Sequence, residues 1–492
     1  MRCIARCATG GRRRGFGPPC TDAPASTWRG CSRRSCVTWR PSWHITLKPG
    51  PRGRAITYLR LTADSAERRY AHREAATTLQ RALALVHHLP EASERTQHAL
   101  PLYLALGSAL QITKGPAAPE VEQAYAQARA LSQQGGERPE LVPVLFGLWR
   151  FYIARPQLQI ARELGDTLLR LAHQAHDPAR AVVAHHALGV TWLYLGALPA
   201  ARTHLEAGIG LDTPDQRRAP VFHMGRDPGL VCRLYAAEVL WLLGYPEQAL
   251  ARVREALTLA HALAHPYGLA FARCYAAIVS QYRRDVPAVH EHAEAAVALA
   301  TAQGFPLWVA IGTIFCGWAR AMQGQGEAGM AQVHQGIAAY RATGAALLVL
   351  YLCTLLADVA AHLGHPADGL RALAEAYPLV EQQEERCWEA EVHRLRGVVL
   401  LRQPGTPQTE VEAWLQQALD VARGQEAKSL ELRAAMSLAH LWWQQGKRDE
   451  ARELLAPVYG WFTEGFDTAD LQEAKALLDA LGSSNCDGTS RP

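Results

Sequence analysis

The residues of this chain that could do chemistry are few, and each lacks the company its chemistry needs. A phosphate-cradling loop requires GxxxxGK followed by Ser or Thr, because backbone amides hold the phosphate and the hydroxyl holds magnesium. The Gly-Lys pair present, Gly446-Lys447, is followed by Arg448 inside a turn. Gly324, Gly326 and Gly329 match GxGxxG, but a dinucleotide site needs a strand before the glycines, and here a helical pattern precedes them. His261 with His265, and His173 with His176, have helical ligand spacing, yet no HExxH occurs and no third ligand is placed near them. They read as helix-end and surface residues. No GxSxG elbow is present. Cys232, Cys274, Cys316 and Cys353 recur once per sequence period in first helices, which suits small buried packing residues better than nucleophiles. The sequence therefore predicts no catalytic residue, no metal and no cofactor. The single Asn, Asn485, also leaves no Asn-Lys clamp for a chaperone C-terminus.

The elements that must position any site begin after a leader of different texture. Residues 1–54 hold twelve Lys or Arg against Asp22, a net +11, so the rest of a chain of total charge +5 carries −6. That acidic body argues against a nucleic-acid partner. Residues 1–53 also hold Cys3, Cys7, Cys20, Cys31 and Cys36, at spacings that suit no zinc ribbon, and no apolar run of signal-peptide length. The segment reads as a disordered or spurious leader, and 482–492 as a disordered tail. No apolar stretch approaches the roughly 18 residues of a membrane span. The expected setting is the cytoplasm, with reduced thiols.

From Arg54 to Leu481 the pattern is helical throughout, and it repeats. Gly244, Arg284, Gly324 and Gly364 occupy equivalent turns 40 residues apart, as do Pro156 and Gly196. Small or medium residues follow each turn at fixed offsets: Ala249, Val253 and Ala256; Gly329, Val333 and Gly336; Gly369, Leu373 and Ala376; Ala451, Leu455 and Val458. Steps of four and three keep them on one face, where a second helix can approach closely. Turns near Tyr70, Gln111, Pro156, Gly196, Gly244, Arg284, Gly324, Gly364, Pro404 and Gly446 predict about ten hairpins. The fold expected is an all-α, tetratricopeptide-like, right-handed superhelical solenoid. A HEAT array is the competitor at this period, and it is disfavoured because no helix reads as split by an internal Pro. A last helix is expected from Asp467, whose carboxylate can cap it.

Several strings go beyond the generic repeat: TKGPAAPEVEQAYAQARAL (Thr113 to Leu131), PVLFGLWRFY (Pro143 to Tyr152), QGFPLWVAIGT (Gln303 to Thr313), and QEAKSLELRAAMSLAHLW joined to APVYGWFTEGFDTADLQEAKALL. They resemble the C-terminal tetratricopeptide region of bacterial adenylate or guanylate cyclases that carry a STAND-type ATPase module, and more distantly the sensor domain of maltose-type activators. The resemblance implies a non-enzymatic ligand-sensing or protein-interaction solenoid, with the family's catalytic modules lying upstream of the matched region. It also leaves open that the chain is a truncated cyclase or STAND ATPase.

A stacked solenoid presents a concave face lined by first helices. The ninth position of the helix pattern gives Arg150, Glu238, Trp318, Asp358 and His440, and neighbouring turns add His186, Trp241 and Trp443. Aromatic and charged anchors of this kind suit a protein or peptide partner, or a small-molecule inducer. Inter-repeat packing is the alternative reading for half of them.

Overall fold

The structure is a computed structural model in which residues 51–133, 141–214 and 227–483 are described. The chain divides into two units, 1–49 and 50–492, and every described residue belongs to the second. The expectations for the leader and the tail lie outside the described residues, apart from Pro51–Gly53, which open the first helix, and Gly482, which closes the last.

Twenty-one helices and no strand are found among the described residues. They form ten hairpins: α1 (Pro51–Arg68) with α2 (His72–Val86), α3 (Ala92–Thr113) with α4 (Pro119–Gln133), α5 (Leu141–Ala154) with α6 (Leu158–Ala175), α7 (Pro178–Tyr194) with α8 (Leu198–Leu211), and α9 (Pro228–Leu242) with α10 (Pro246–Leu263). The series continues with α11 (Pro266–Tyr282) and α12 (Val286–Gln303), α13 (Pro306–Met322) and α14 (Gly326–Ala342), α15 (Val349–Leu363) and α16 (Pro366–Gln383), α17 (Glu389–Leu401) and α18 (Gln408–Gly424), and α19 (Lys428–Gln444) and α20 (Arg448–Gly460). A single helix, α21 (Ala469–Gly482), covers the end.

Local chemistry explains these boundaries. Proline opens α7, α9, α10, α11, α13 and α16, where its missing N–H would have no helical partner. Asp177, Asp227 and Asp285 accept hydrogen bonds from the first free amides of α7, α9 and α12. Left-handed residues turn the chain between the two helices of a hairpin, and most are glycine, as at Gly196, Gly244, Gly324, Gly364 and Gly446. Tyr70 and Arg284 take the same conformation, each with φ near 60°, without being glycine.

Second helices bury one face, built around the row of small residues; in α10 this row is Ala249, Val253, Ala256 and Ala260. First helices are buried almost all round, because they pack against their own partner, their neighbours and the opposite wall.

Three sequence expectations need correction. Proline does lie inside helices, at Pro101 in α3, Pro378 in α16 and Pro457 in α20. The cost of a lost backbone bond is evidently offset by packing, so this criterion does not separate the repeat classes. Gln111 is a buried helical residue, and the turn lies four residues on at Gly115. Asp467 does not cap α21; its carboxylate accepts a hydrogen bond from Arg283 at 3.1 Å, and Thr468 stands at the cap position. Gly324 forms the expected turn, at φ +90°, and Gly326 begins α14 against Leu363.

The winding itself is tight. The C-terminal ends of α5, α7, α9 and α11 leave carbonyls short of intrahelical partners, and these are met from the next coil. Ala346 N–H donates to Ala154 O at the end of α5, and Arg386 N–H to Tyr194 O at the end of α7. Ser429 Oγ donates to Trp241 O near the end of α9, 188 residues away, and Arg433 to Tyr282 O at the end of α11. At the outer end Tyr70 Oη donates to Ala264 O, 194 residues on. One coil thus sits directly on the next.

Candidate functional site

Tight winding decides which first-helix residues can meet a ligand. Facing helices come close enough for their aromatic side chains to fill the axis. The ring of Trp241 lies 4.8 Å from Tyr282 and 6.3 Å from Trp388, and Tyr351 packs on Trp388 at 4.7 Å between centroids. The continuous concave face expected from the sequence is therefore closed over its first half. Arg150, His186, Glu238 and Trp241 are each no more than 3% exposed. His186 sets its ring against the edges of Phe146 and Trp149, and Glu238 accepts a hydrogen bond from Tyr282 Oη at 2.9 Å. These four belong to the packed interior. Burial pushes the Glu238 carboxyl up to about 7 against the opposing pull of the Tyr282 hydrogen bond.

The other four expected residues, Trp318, Asp358, His440 and Trp443, are brought together in one cavity of about 570 Å³. It lies where α11, α13, α15, α17 and α19 converge, and α21 forms its remaining wall. This is within the size range of small-molecule and peptide pockets. Trp318 is buried in the wall, while His440 and Trp443 are exposed at its rim.

Most of the cavity's charge comes from residues the ninth-position pattern did not select. Arg394 grips Glu391 with two parallel hydrogen bonds, Nε to Oε2 at 2.8 Å and Nη2 to Oε1 at 2.7 Å, the strongest form of such a pair. Arg433 stands 3.8 Å from the same carboxylate and donates to Asp470 Oδ2 at 2.8 Å. Arg284 reaches Asp470 at 3.4 Å and Glu473 at 2.6 Å. Three guanidiniums and three carboxylates thus alternate in a chain that ties α21 to α11, α17 and α19. Burial alone would raise the Glu391 carboxyl, but Arg394 and Arg433 outweigh it and hold the group below its ordinary value. Arg433 also lays its guanidinium over the Trp241 ring at 4.8 Å.

Two signals in the sequence pointed to these residues. Arg284 keeps a side chain at a left-handed turn where glycine fits better, and the last two of the strings quoted above contain Arg433, Asp470 and Glu473. The glycine and histidine motifs are structural: His265 Nδ1 accepts from Gly268 N–H at 3.3 Å at the start of α11, and His173, His176 and His261 are exposed at helix ends. The four repeat cysteines and Cys387 are buried free thiols. Among the described residues no helix is long and apolar enough to cross a membrane.

No protein-family model and no curated protein matches the chain. Solved structures do match in fold. A Rap protein in complex with competence and sporulation factor superposes with a TM-score of 0.50 at 12% identity, covering 81% of this chain and 99% of that one. A Rap conjugation gene regulator of plasmid pLS20 with the Phr* peptide gives 0.46 at 10% identity over 78% and 98%. A STAND protein with a tetratricopeptide repeat sensor from Pyrococcus horikoshii gives 0.36 at 11% identity, over 82% and 67%. At these identities the likeness is one of fold, and the fold is a tetratricopeptide-type solenoid.

Proposed function

We propose that this chain is a non-enzymatic sensor or interaction solenoid, which receives a peptide or small ligand in the cavity closed by α21. The observation that carries the reading is the wall composition. Five successive first helices and the terminal helix all contribute side chains to one space, so a molecule in it touches elements far apart in sequence. A ligand there would change how α21 is held, since α21 is tied to the coil by the arginine–carboxylate chain as well as by its buried face, Leu471, Ala474, Leu477 and Leu481. A place in a bacterial signalling ATPase or cyclase system is supported by the sequence strings quoted above, which resemble the tetratricopeptide regions of such proteins.

The test uses immobilised chain and mixtures of capped pentapeptides, with Ala476→Trp, which fills the cavity from α21, as control. Peptides should be retained by the wild type and lost by Ala476→Trp, and binding should protect α21 amides from hydrogen exchange. Retention that ignores the Ala476→Trp block, or hydrolysis of ATP or GTP with magnesium by the chain, would remove the reading.

A further inference from the structure

The charges in the cavity fall into two sets. Arg284, Arg394 and Arg433 are each engaged with Glu391, Asp470 or Glu473, and this chain of six is neutral as a whole. Asp358 stands outside it. Among the described residues no hydrogen bond, and no ion pair within 4 Å, reaches the Asp358 carboxylate, although it lines the same space. It is carried near the middle of α15, 40 residues after Trp318 and therefore at the same position of the adjacent first helix. Burial, helped by the neighbouring Glu391 charge, raises its pKa against the pull of Arg394, Arg433 and Arg284, the direction expected of a carboxylate short of a direct partner.

An anionic ligand would have to share guanidiniums already engaged by Glu391, Asp470 and Glu473, and would be set against those acids and Asp358. A cation would find one carboxylate waiting and disturb none of the others. The walls are aromatic: Trp318, Tyr351 and Trp388 line the same cavity with the 1–3% of their surface that packing leaves exposed, Trp443 stands at its rim 41% exposed, and aromatic rings attract cations and apolar groups alike. We propose that the cavity selects a ligand bearing one positive charge, an ammonium or guanidinium group that pairs with Asp358 while its apolar stem lies against Trp318, Tyr351 and Trp388. The inference rests on the reading of this cavity as the binding site.

The experiment compares capped pentapeptide mixtures that share one fixed position, occupied by arginine, by its uncharged isostere citrulline, or by glutamate, using calorimetry on the full chain. Butylguanidine, a single guanidinium on an apolar stem, forms a separate arm. A charged hydrogen bond of this kind predicts that the arginine mixture binds the wild type about tenfold or more tighter than the citrulline mixture, with glutamate weakest. In Asp358→Asn the arginine advantage should vanish while citrulline binding persists. Butylguanidine bound with the same Asp358 dependence would identify a small free cation as sufficient, and its failure beside bound arginine peptides would place the cation on a peptide. Both results support the inference.

Equal binding of arginine and citrulline mixtures to the wild type, blocked by Ala476→Trp, would overturn the cation assignment and leave the cavity as a binding site. Binding of no mixture would overturn both. The arginine-to-citrulline ratio in the wild type decides the matter even if Asp358→Asn folds poorly.

Discussion

At the scale of single residues, the interior carries ionisable groups that a solenoid core does not need. Glu238 is the clearest. Its carboxyl titrates at about 7 in the folded chain and near 4.5 when unfolded, so between those values the folded state holds a proton that the unfolded state has released. Stability from this group therefore falls as pH rises from 4.5, and stops falling above 7. Glu238→Gln keeps an acceptor for Tyr282 and has no proton to lose. The variant should gain on the wild type by up to about 3 kcal/mol across that window. Buried His72 and His265, lowered to about 4, titrate in the opposite sense over an overlapping range. The measurement is therefore the difference between the two proteins in urea titrations at pH 5, 6 and 7.5, and a flat difference would refute the assignment. Of the candidate site, the ninth position named Trp318, Asp358 and His440 and the neighbouring turns Trp443, and these line one cavity because residues one period apart face the same way. It could not tell them from Arg150, His186, Glu238 and Trp241, since burial at those positions is set by a facing helix many residues away.

At the scale of elements, helices and turns were legible because their causes are local: proline at first positions, aspartate caps, glycine in left-handed turns. The small-residue rows were legible too, but not how closely each pair of helices meets. A Cβ on Gly336 would stand 2.5 Å from Ile314 Cγ1 and 2.9 Å from the Ile314 backbone nitrogen, whereas on Gly369 its nearest neighbours are the Val399 methyls at 3.3 and 3.4 Å. Backbone cannot step aside as a methyl can. Gly336→Ala should therefore destabilise by about 1 to 3 kcal/mol. Gly369→Ala should be close to neutral, the helix-propensity gain of roughly 0.5–1 kcal/mol offsetting the mild crowding. Equilibrium denaturation separates them, and hydrogen exchange on Gly336→Ala should show the loss first in α13 and α14. Equal effects from both substitutions would mean that the α13–α14 contact is looser than the coordinates place it.

At the scale of the whole molecule, the feature the sequence hid is the contact between coils. Small rotations between neighbouring repeats add up over many units, and no local pattern records the sum. Gly244 and Gly364 expose its energetic weight. Both are left-handed turn glycines, at φ +91° and +77°, but a Cβ on Gly244 would meet Trp461 at 2.6 Å and Lys428 at 2.8 Å, while one on Gly364 would meet nothing within 4 Å. Alanine at Gly364 should cost only the backbone term, about 1 to 2 kcal/mol. Gly244→Ala should cost clearly more, and should raise hydrogen exchange around residues 428 and 461 as well as at its own turn. If the two variants unfolded alike, coil-to-coil packing would contribute little. That packing also bears on how such a chain can change by descent. An open array can gain or drop a unit by duplication without disturbing the others. Here, an extra hairpin inserted between α11 and α15 would move Ala346, Arg386 and Ser429 one place along the winding, opposite carbonyls they do not fit. The ends of the array stay free to grow or shorten, while its middle is held to a fixed count of units, as the teeth of a gear are fixed by the wheel they mesh with.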